Sequence, residues 1–193
     1  TLIRRNDTEV PIEGSIAAMH DRNGDPVGEV MVFRDVSEMR AMTRRIAHSA
    51  QHDFLTGLPN RMLFDDRLAS AISIAPRHAK GVAVLFLDLD GFKHVNDSLG
   101  HAMGDKLLQS VGRRLVECVR ASDTVSRLGG DEFAVLLSEV ELSEDAAITA
   151  RRMLSAISKP HVIDQHDLRI SASIGISVFP DDGRDAKALL QNA

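Results

Sequence analysis

Four acids draw attention by their spacing. In "FLDLDGFKHVND", residues 86–97, Asp88 and Asp90 stand one residue apart, and in "SRLGGDEFAVLL", residues 126–137, Asp131 and Glu132 follow two glycines. Side chains of an extended strand alternate with period two, so Asp88 and Asp90 share a face with Val84 and Phe86. Carboxylates placed where a strand leaves a core are costly when unpaired, and they imply a cation between them. Hard oxygen donors with water suit Mg²⁺ or Mn²⁺, ions that commonly engage phosphates. Gly129 and Gly130 suit a tight turn that needs positive φ and lets a ligand approach the backbone.

These acids need a scaffold, and its elements are legible around them. "GVAVLFLDLD" (81–90) is a continuous apolar strand ending in acids. An amphipathic helix is expected over 97–119, with Leu107, Leu108, Val111, Leu115 and Val119 on one face. Strands follow near 124–128 and 133–138, then a helix from Ser143 to about Ser158. Last comes a hairpin from about His161 to Phe179, its second arm alternating Ile170, Ala172, Ile174, Ile176 and Val178. Strand–helix–strand–strand–helix–strand is the split βαβ, ferredoxin-like order, so the expected class is α/β with a mainly antiparallel sheet. The first strand of such a sheet is central, which lets the hairpin carry Asp131 toward Asp88.

Composition narrows the function. The chain of 193 residues has room for one domain plus a fragment. A net charge of -5 leaves no broad positive field for a nucleic acid backbone, and Trp and Tyr are absent as base-stacking platforms, so polymeric nucleic acid is not the expected partner. Cys118 has no partner for a disulfide and lies among Val111, Leu115, Val116 and Val119 at helical spacing, as a buried structural thiol would. No apolar run approaches the ~20 residues of a membrane span, and the expectation is a cytoplasmic segment without membrane contact, whatever anchor lies upstream. No Gly-x-x-x-x-Gly-Lys loop is present, which argues against a P-loop nucleotide site.

Residues 1–36 read as short strands around "VPIEGSIAAM", a turn at "DRNGDPVG" and "EVMVFRDV". "NGDPVGEVMVFRDVSEMR" resembles the last hairpin and exit motif of a PAS sensor domain, with Asp35 and Ser37 on its Asp-x-Thr. From Ser37 to about Gln51 a helix is expected, with Ser37 as N-cap and Met39, Met42, Ile46 and Ala50 forming a narrow apolar stripe. Such a stripe serves either as a solvated connector or as a signalling helix that pairs with its copy. The expected division is 1–36, the end of a PAS-like domain; 37–50, a linker helix; and 51–193, the acid-bearing domain.

"DFLTGLPNR" (53–61), "FLDLDGFKHVNDSLGHAMGD" (86–105), "RLGGDEF" (127–133) and "SASIGIS" (171–177) resemble, in order and spacing, the motifs of the GGDEF-domain family of diguanylate cyclases. That family joins two GTP into cyclic di-GMP with release of two pyrophosphates. The resemblance implies that Asp88, the Leu89 carbonyl and Asp131 hold Mg²⁺ or Mn²⁺, with Asp131 and Glu132 as the catalytic hairpin acids. Glu132 is then either a second metal ligand or a structural acid. It further implies that Asn96 and Asp105 read guanine, that His101 lies at the substrate, and that Phe92 and Lys93 serve the terminal phosphates. "GLPNR" reads as mainly structural, with Asn60 capping the next helix and Arg61 available to pair with Asp53. "LLQNA" falls where family members continue into a helix that carries a phosphate-binding lysine.

The same resemblance places a product-inhibition site at "RASD", on Arg120 and Asp123, with Arg151 as a second arginine on a helix that also holds Arg152. One domain binds one GTP, so a homodimer is implied for turnover. A different role is implied by tandem relatives in which an EAL phosphodiesterase domain follows: there the domain binds GTP or cyclic di-GMP and regulates its neighbour.

Overall fold

The computed structural model describes every residue except 4 and 79, and the side chains of all but those and residues 43–48, 78 and 143. Ile46 of the expected stripe therefore lies outside the described side chains. The chain divides into two compact units, Thr1–Ala50 and Gln51–Ala193.

The first unit contains two two-stranded sheets. β1 (Leu2–Ile3) pairs with β2 (Glu9–Val10), and β3 (Ile12–His20) pairs with β4 (Pro26–Asp35), all antiparallel. Between β3 and β4 the Asp21 carboxylate accepts the Asn23 and Asp25 amides, and Gly24 supplies a φ of +88°. Helix α1 spans Ser37–Gln51. Its entry differs from expectation: Ser37 is the first helical residue, and its N–H is satisfied by the Asp35 carboxylate at 2.9 Å.

The second unit runs α2 (Arg61–His78), β5 (Gly81–Asp90), α3 (Phe92–Leu99), α4 (His101–Glu117), β6 (Thr124–Gly129), β7 (Glu132–Val140), α5 (Ser143–Ile157), β8 (His161–Ile163), β9 (His166–Leu168), β10 (Ser171–Phe179) and α6 (Ala186–Asn192). The main sheet has the antiparallel order β10-β5-β7-β6, with β5 inside, as a split βαβ arrangement demands. Because β5 is covered on both faces its sequence does not alternate in polarity. Ala83, Leu85, Leu87 and Leu89 pack toward Leu107, Val111 and Leu115 of α4 and Met153 and Ile157 of α5. Val82 and Val84 pack toward Phe64 and Leu68 of α2 and Leu189 of α6.

Two expected elements resolve differently. The single helix over 97–119 is two helices, starting at Phe92 and broken at Gly100, whose φ of +82° stops α3 and begins α4. The apolar period runs across that break and hides it. The expected 161–179 hairpin is a small β8–β9 hairpin followed by β10, which pairs with β5 instead.

Candidate active site

β5 delivers two carboxylates into unlike surroundings. Asp90 accepts Ser171 Oγ–H at 2.7 Å on Oδ2 and Ser173 Oγ–H at 2.8 Å on Oδ1. Those hydroxyls hold its carboxyl below the ordinary range. Asp88 lies opposite Ser173 on β10 and Glu132 on β7, yet no described residue donates a hydrogen bond to it. Partial desolvation, then the nearby charges of Asp131 and Asp90, push its pKa up. The Leu89 side chain is buried in the core, so the group it can offer a ligand is its carbonyl.

The register Gly129↔Glu132 makes Gly130 and Asp131 the turn between β6 and β7, with φ of +144° at Gly129 and +54° at Gly130. Arg127 fastens this turn. Its Nε and Nη2 donate to the Gly130 carbonyl at 3.0 and 2.7 Å, while Nη1 reaches both Asp53 oxygens at 3.0 Å. Burial alone would raise the Asp53 pKa, but the Thr56 hydroxyl and amide and the Arg127 guanidinium together hold it low. The expected partner of Asp53 was Arg61; Arg61 instead lies 3.7 Å from Glu132. Asn60 does cap α2, accepting the Leu63 amide at 3.2 Å. The Asp53–Arg127 pair, 74 residues apart, left no periodic trace in the sequence.

Gly91, with φ of +74°, turns the chain from β5 into α3, so the first-turn amides of Phe92 and Lys93 open beside the β5 acids in sequence. Phe92 is buried and Lys93 exposed. Asn96 projects over α4: a Cβ on Gly104 would lie 2.0 Å from Asn96 Oδ1. Asp105, the next residue, and His101 are both exposed on the first turns of α4.

A second cluster lies along the α4–β6 connection. Asp123 accepts the Arg120 amide at 3.0 Å and the Ser138 amide at 3.3 Å, so "RASD" is a closed turn. A cleft of about 480 Å³ adjoins it, lined among others by Cys118, Arg120, Asp123, Thr149 and Arg152. Arg152 also donates to the Cys118 carbonyl, whereas Arg151 Nε donates to Ala147 O at 3.3 Å within its own helix and does not line the cleft.

Among the described residues no three His, Cys, Asp or Glu side chains are arranged to hold a metal. The set at the β5 end is two donor-free carboxylates, Asp88 and Asp131, with one carbonyl. That suits an ion which keeps water and shares its shell with phosphates, as Mg²⁺ does, and their mutual repulsion is what such a cation relieves.

The family described as "Diguanylate cyclase, GGDEF domain" matches residues 50–193. The chain is 53% identical over 150 residues to the bifunctional diguanylate cyclase/cyclic di-GMP phosphodiesterase MucR of Pseudomonas aeruginosa, covering 78% of this chain and 22% of that one. It is 37% identical over 190 residues to the probable diguanylate cyclase DgcE of Escherichia coli, covering 98% and 17%. The chain thus spans about a fifth of the length of these relatives. Among solved structures, the GGDEF domain of TpbB from Pseudomonas aeruginosa superposes with a TM-score of 0.72 at 43% identity, covering 74% of this chain and 83% of that one. The coiled coil and GGDEF domain of DgcB from Caulobacter crescentus, solved in complex with c-di-GMP, gives 0.72 at 25% identity, covering 81% and 83%. With its motifs, its β10-β5-β7-β6 sheet and these matches in agreement, the chain belongs to the GGDEF-domain family of diguanylate cyclases.

Proposed function

We propose that this chain carries a working diguanylate cyclase domain which joins two GTP into cyclic di-GMP. The observation that supports it most directly is the pair Asp88 and Asp131, each without a donor among the described residues, with Asp131 close enough for its charge to raise the Asp88 pKa. Asp88, the Leu89 carbonyl and Asp131 would hold Mg²⁺ or Mn²⁺, which supplies charge to the phosphates and acidifies a ribose 3′-hydroxyl. The α3 amides of Phe92 and Lys93, with the Lys93 charge, take the terminal phosphates. Asp105 accepts from guanine N1–H and N2–H, and Asn96 adds a polar contact. His101 borders the base or its ribose.

Asp131 removes the proton of the 3′-hydroxyl on its own GTP. The freed oxygen bonds to the α-phosphorus of the GTP held by a second copy, the α–β P–O bond breaks, and pyrophosphate leaves with that electron pair. The reciprocal step closes the ring, which is why two copies must face each other. Glu132, drawn toward Arg61, acts as a structural acid. Cyclic di-GMP bound at Arg120 and Asp123, with Arg151 or its neighbour Arg152, restrains the domain. The first unit is the end of a PAS-like sensor that sets the geometry of the pair through α1.

A second reading has its own support, because relatives at 38% identity include the cyclic di-GMP phosphodiesterases NbdA and PdeR. On that reading the domain binds GTP or cyclic di-GMP and regulates an adjoining EAL domain. Incubation with GTP and Mg²⁺ or Mn²⁺, followed by chromatography, separates the two. Cyclic di-GMP with two equivalents of pyrophosphate is expected; GTP binding without product would leave the regulatory reading.

A further inference from the structure

The site leaves two features unused: Asp90, and the "SASIGIS" segment that forms β10. They meet each other. β10 pairs with β5 so that Ser171 opposes Asp90 and Ser173 opposes Asp88. Directly opposed residues of an antiparallel pair project to the same face, so both hydroxyls share a face with both acids. Ser173 could serve Asp88, its nearest cross-strand neighbour, but its hydroxyl runs diagonally to Asp90 Oδ1 at 2.8 Å while Ser171 takes Oδ2 at 2.7 Å. Each Asp90 oxygen is thus engaged from the β10 side. Asp88, two residues earlier, keeps its lone pairs uncommitted.

We propose that Ser171 and Ser173 are positioning residues which clasp Asp90 against β10, so that Asp88 is the only β5 carboxylate in the cation site. This rests on the reading of Asp88, Leu89 and Asp131 as the cation donors. Without the clasp, the Asp90 carboxylate pivots at the strand end, where Leu89 separates it from Asp88 by one residue, and joins the same ion. An additional carboxylate tightens a hard cation and occupies a position that a phosphate oxygen or water needs. The clasp therefore holds cation affinity down and keeps coordination open for nucleotide.

The test is Mn²⁺ binding to the full chain without nucleotide, followed by water proton relaxation, for the parent, Asp88→Asn, Ser171→Ala/Ser173→Ala, the same pair with Asp90→Asn, and Ser171→Thr/Ser173→Thr. The alanine pair is expected to bind Mn²⁺ ~10-fold more tightly than the parent, through the added ligand charge. Adding Asp90→Asn should cancel the gain, and the threonine pair, which keeps both hydroxyls, should match the parent. A merely structural role for the serines would loosen the strand end without tightening Mn²⁺. If Asp88→Asn binds Mn²⁺ as the parent does, the cation-site reading falls and the clasp with it. If Asp88→Asn weakens binding while the alanine pair, folded by circular dichroism, binds no more tightly than the parent, the clasp alone is overturned.

Discussion

The β5–hairpin end of the sheet and the "RASD" turn hold similar side chains in opposite states of satisfaction. At the first, Asp88 and Asp131 accept nothing from the described protein and repel each other. At the second, Asp123 is spent on the amides of Arg120 and Ser138. A carboxylate already fed by backbone donors contributes to the fold. One left without donors near another of its kind lowers stability slightly and is retained for what it binds. The difference yields predictions in which activity and stability move separately.

The largest effect is expected where satisfaction is least. Asp131→Asn and Asp88→Asn should each cut cyclic di-GMP production by at least ~10³-fold, as loss of a proton acceptor or cation donor does. The thermal midpoint of Asp88→Asn should stay level or rise. The sign follows from the raised Asp88 pKa: the folded state holds its proton more tightly than the unfolded chain, so the ionised group at neutral pH disfavours folding, and an uncharged Asn removes that cost. A midpoint lowered together with activity would place Asp88 among the structural acids.

Arg127 joins the two states, since one guanidinium holds a satisfied acid, Asp53, and the turn that presents an unsatisfied one, Asp131. The pair is almost buried, with side-chain exposures of 10% and 14%. Removing Arg127 leaves the nearly buried Asp53 charge with only the Thr56 hydroxyl and amide as donors and strips the Gly130 carbonyl of its donor, so Arg127→Ala should cost about 3 kcal/mol in denaturant unfolding. Arg127→Lys should recover part of that stability but little activity, because a point charge cannot span Asp53 and the Gly130 carbonyl as a planar fork does. Equal recovery of both would show that the hairpin tip needs charge but not orientation.

This split also explains what the sequence made legible. Asp88 and Asp131 could be brought together on paper because strand alternation and the split βαβ order depend on nearest-neighbour patterns and topology. The continuous apolar run of β5 announced a strand, and the structure covers that strand on both faces. Gly100 was missed as a helix break because the apolar stripe of α4 stays in phase with residues before it. Arg127–Asp53 and the serine clasp on Asp90 were invisible for another reason. They are long-range polar pairings, fixed only when β6 meets the 53–61 loop and β10 docks on β5, and no local spacing encodes either.

At the satisfied end, the two residues of the turn should part company. Asp123→Ala deprives two backbone amides of their acceptor and should cost about 1–2 kcal/mol of stability. Arg120→Ala removes an exposed side chain whose backbone alone closes the turn, so its midpoint should shift by less than about 0.5 kcal/mol equivalent. Calorimetry with cyclic di-GMP should nevertheless show binding weakened at least ~10-fold in Arg120→Ala, as loss of a planar donor fork implies. Unchanged affinity in Arg120→Ala would leave "RASD" as a turn and nothing more.

The smallest effect concerns a base that is fully satisfied. His161 is buried between α4 and the end of α5; its Nδ1 lies 2.8 Å from Ser110 Oγ and its Nε2 lies 2.9 Å from the Ile157 carbonyl. Arg114 Nη1 also lies 3.0 Å from Nε2, so both ring nitrogens have partners in either neutral tautomer: Nε2–H donating to Ile157 with Nδ1 accepting from Ser110, or Nδ1–H donating to Ser110 with Nε2 accepting from Arg114. Burial therefore pushes the His161 pKa below its ordinary 6.5; the Ile157 bond opposes that shift, and the Arg114 charge adds to it. Between the folded and unfolded values the unfolded chain binds the extra proton, so stability is full above the unfolded pKa and falls as pH drops below it. The slope from this one group cannot exceed about 1.4 kcal/mol per pH unit. His161→Gln keeps a neutral polar side chain with nothing to titrate there. Urea unfolding from about pH 8 down to about pH 5 should lose stability more steeply in the parent than in His161→Gln, though the variant starts lower for its imperfect fit. Parallel profiles would mean that His161 binds its proton equally in the folded and unfolded chain, and that burial does not favour the neutral ring.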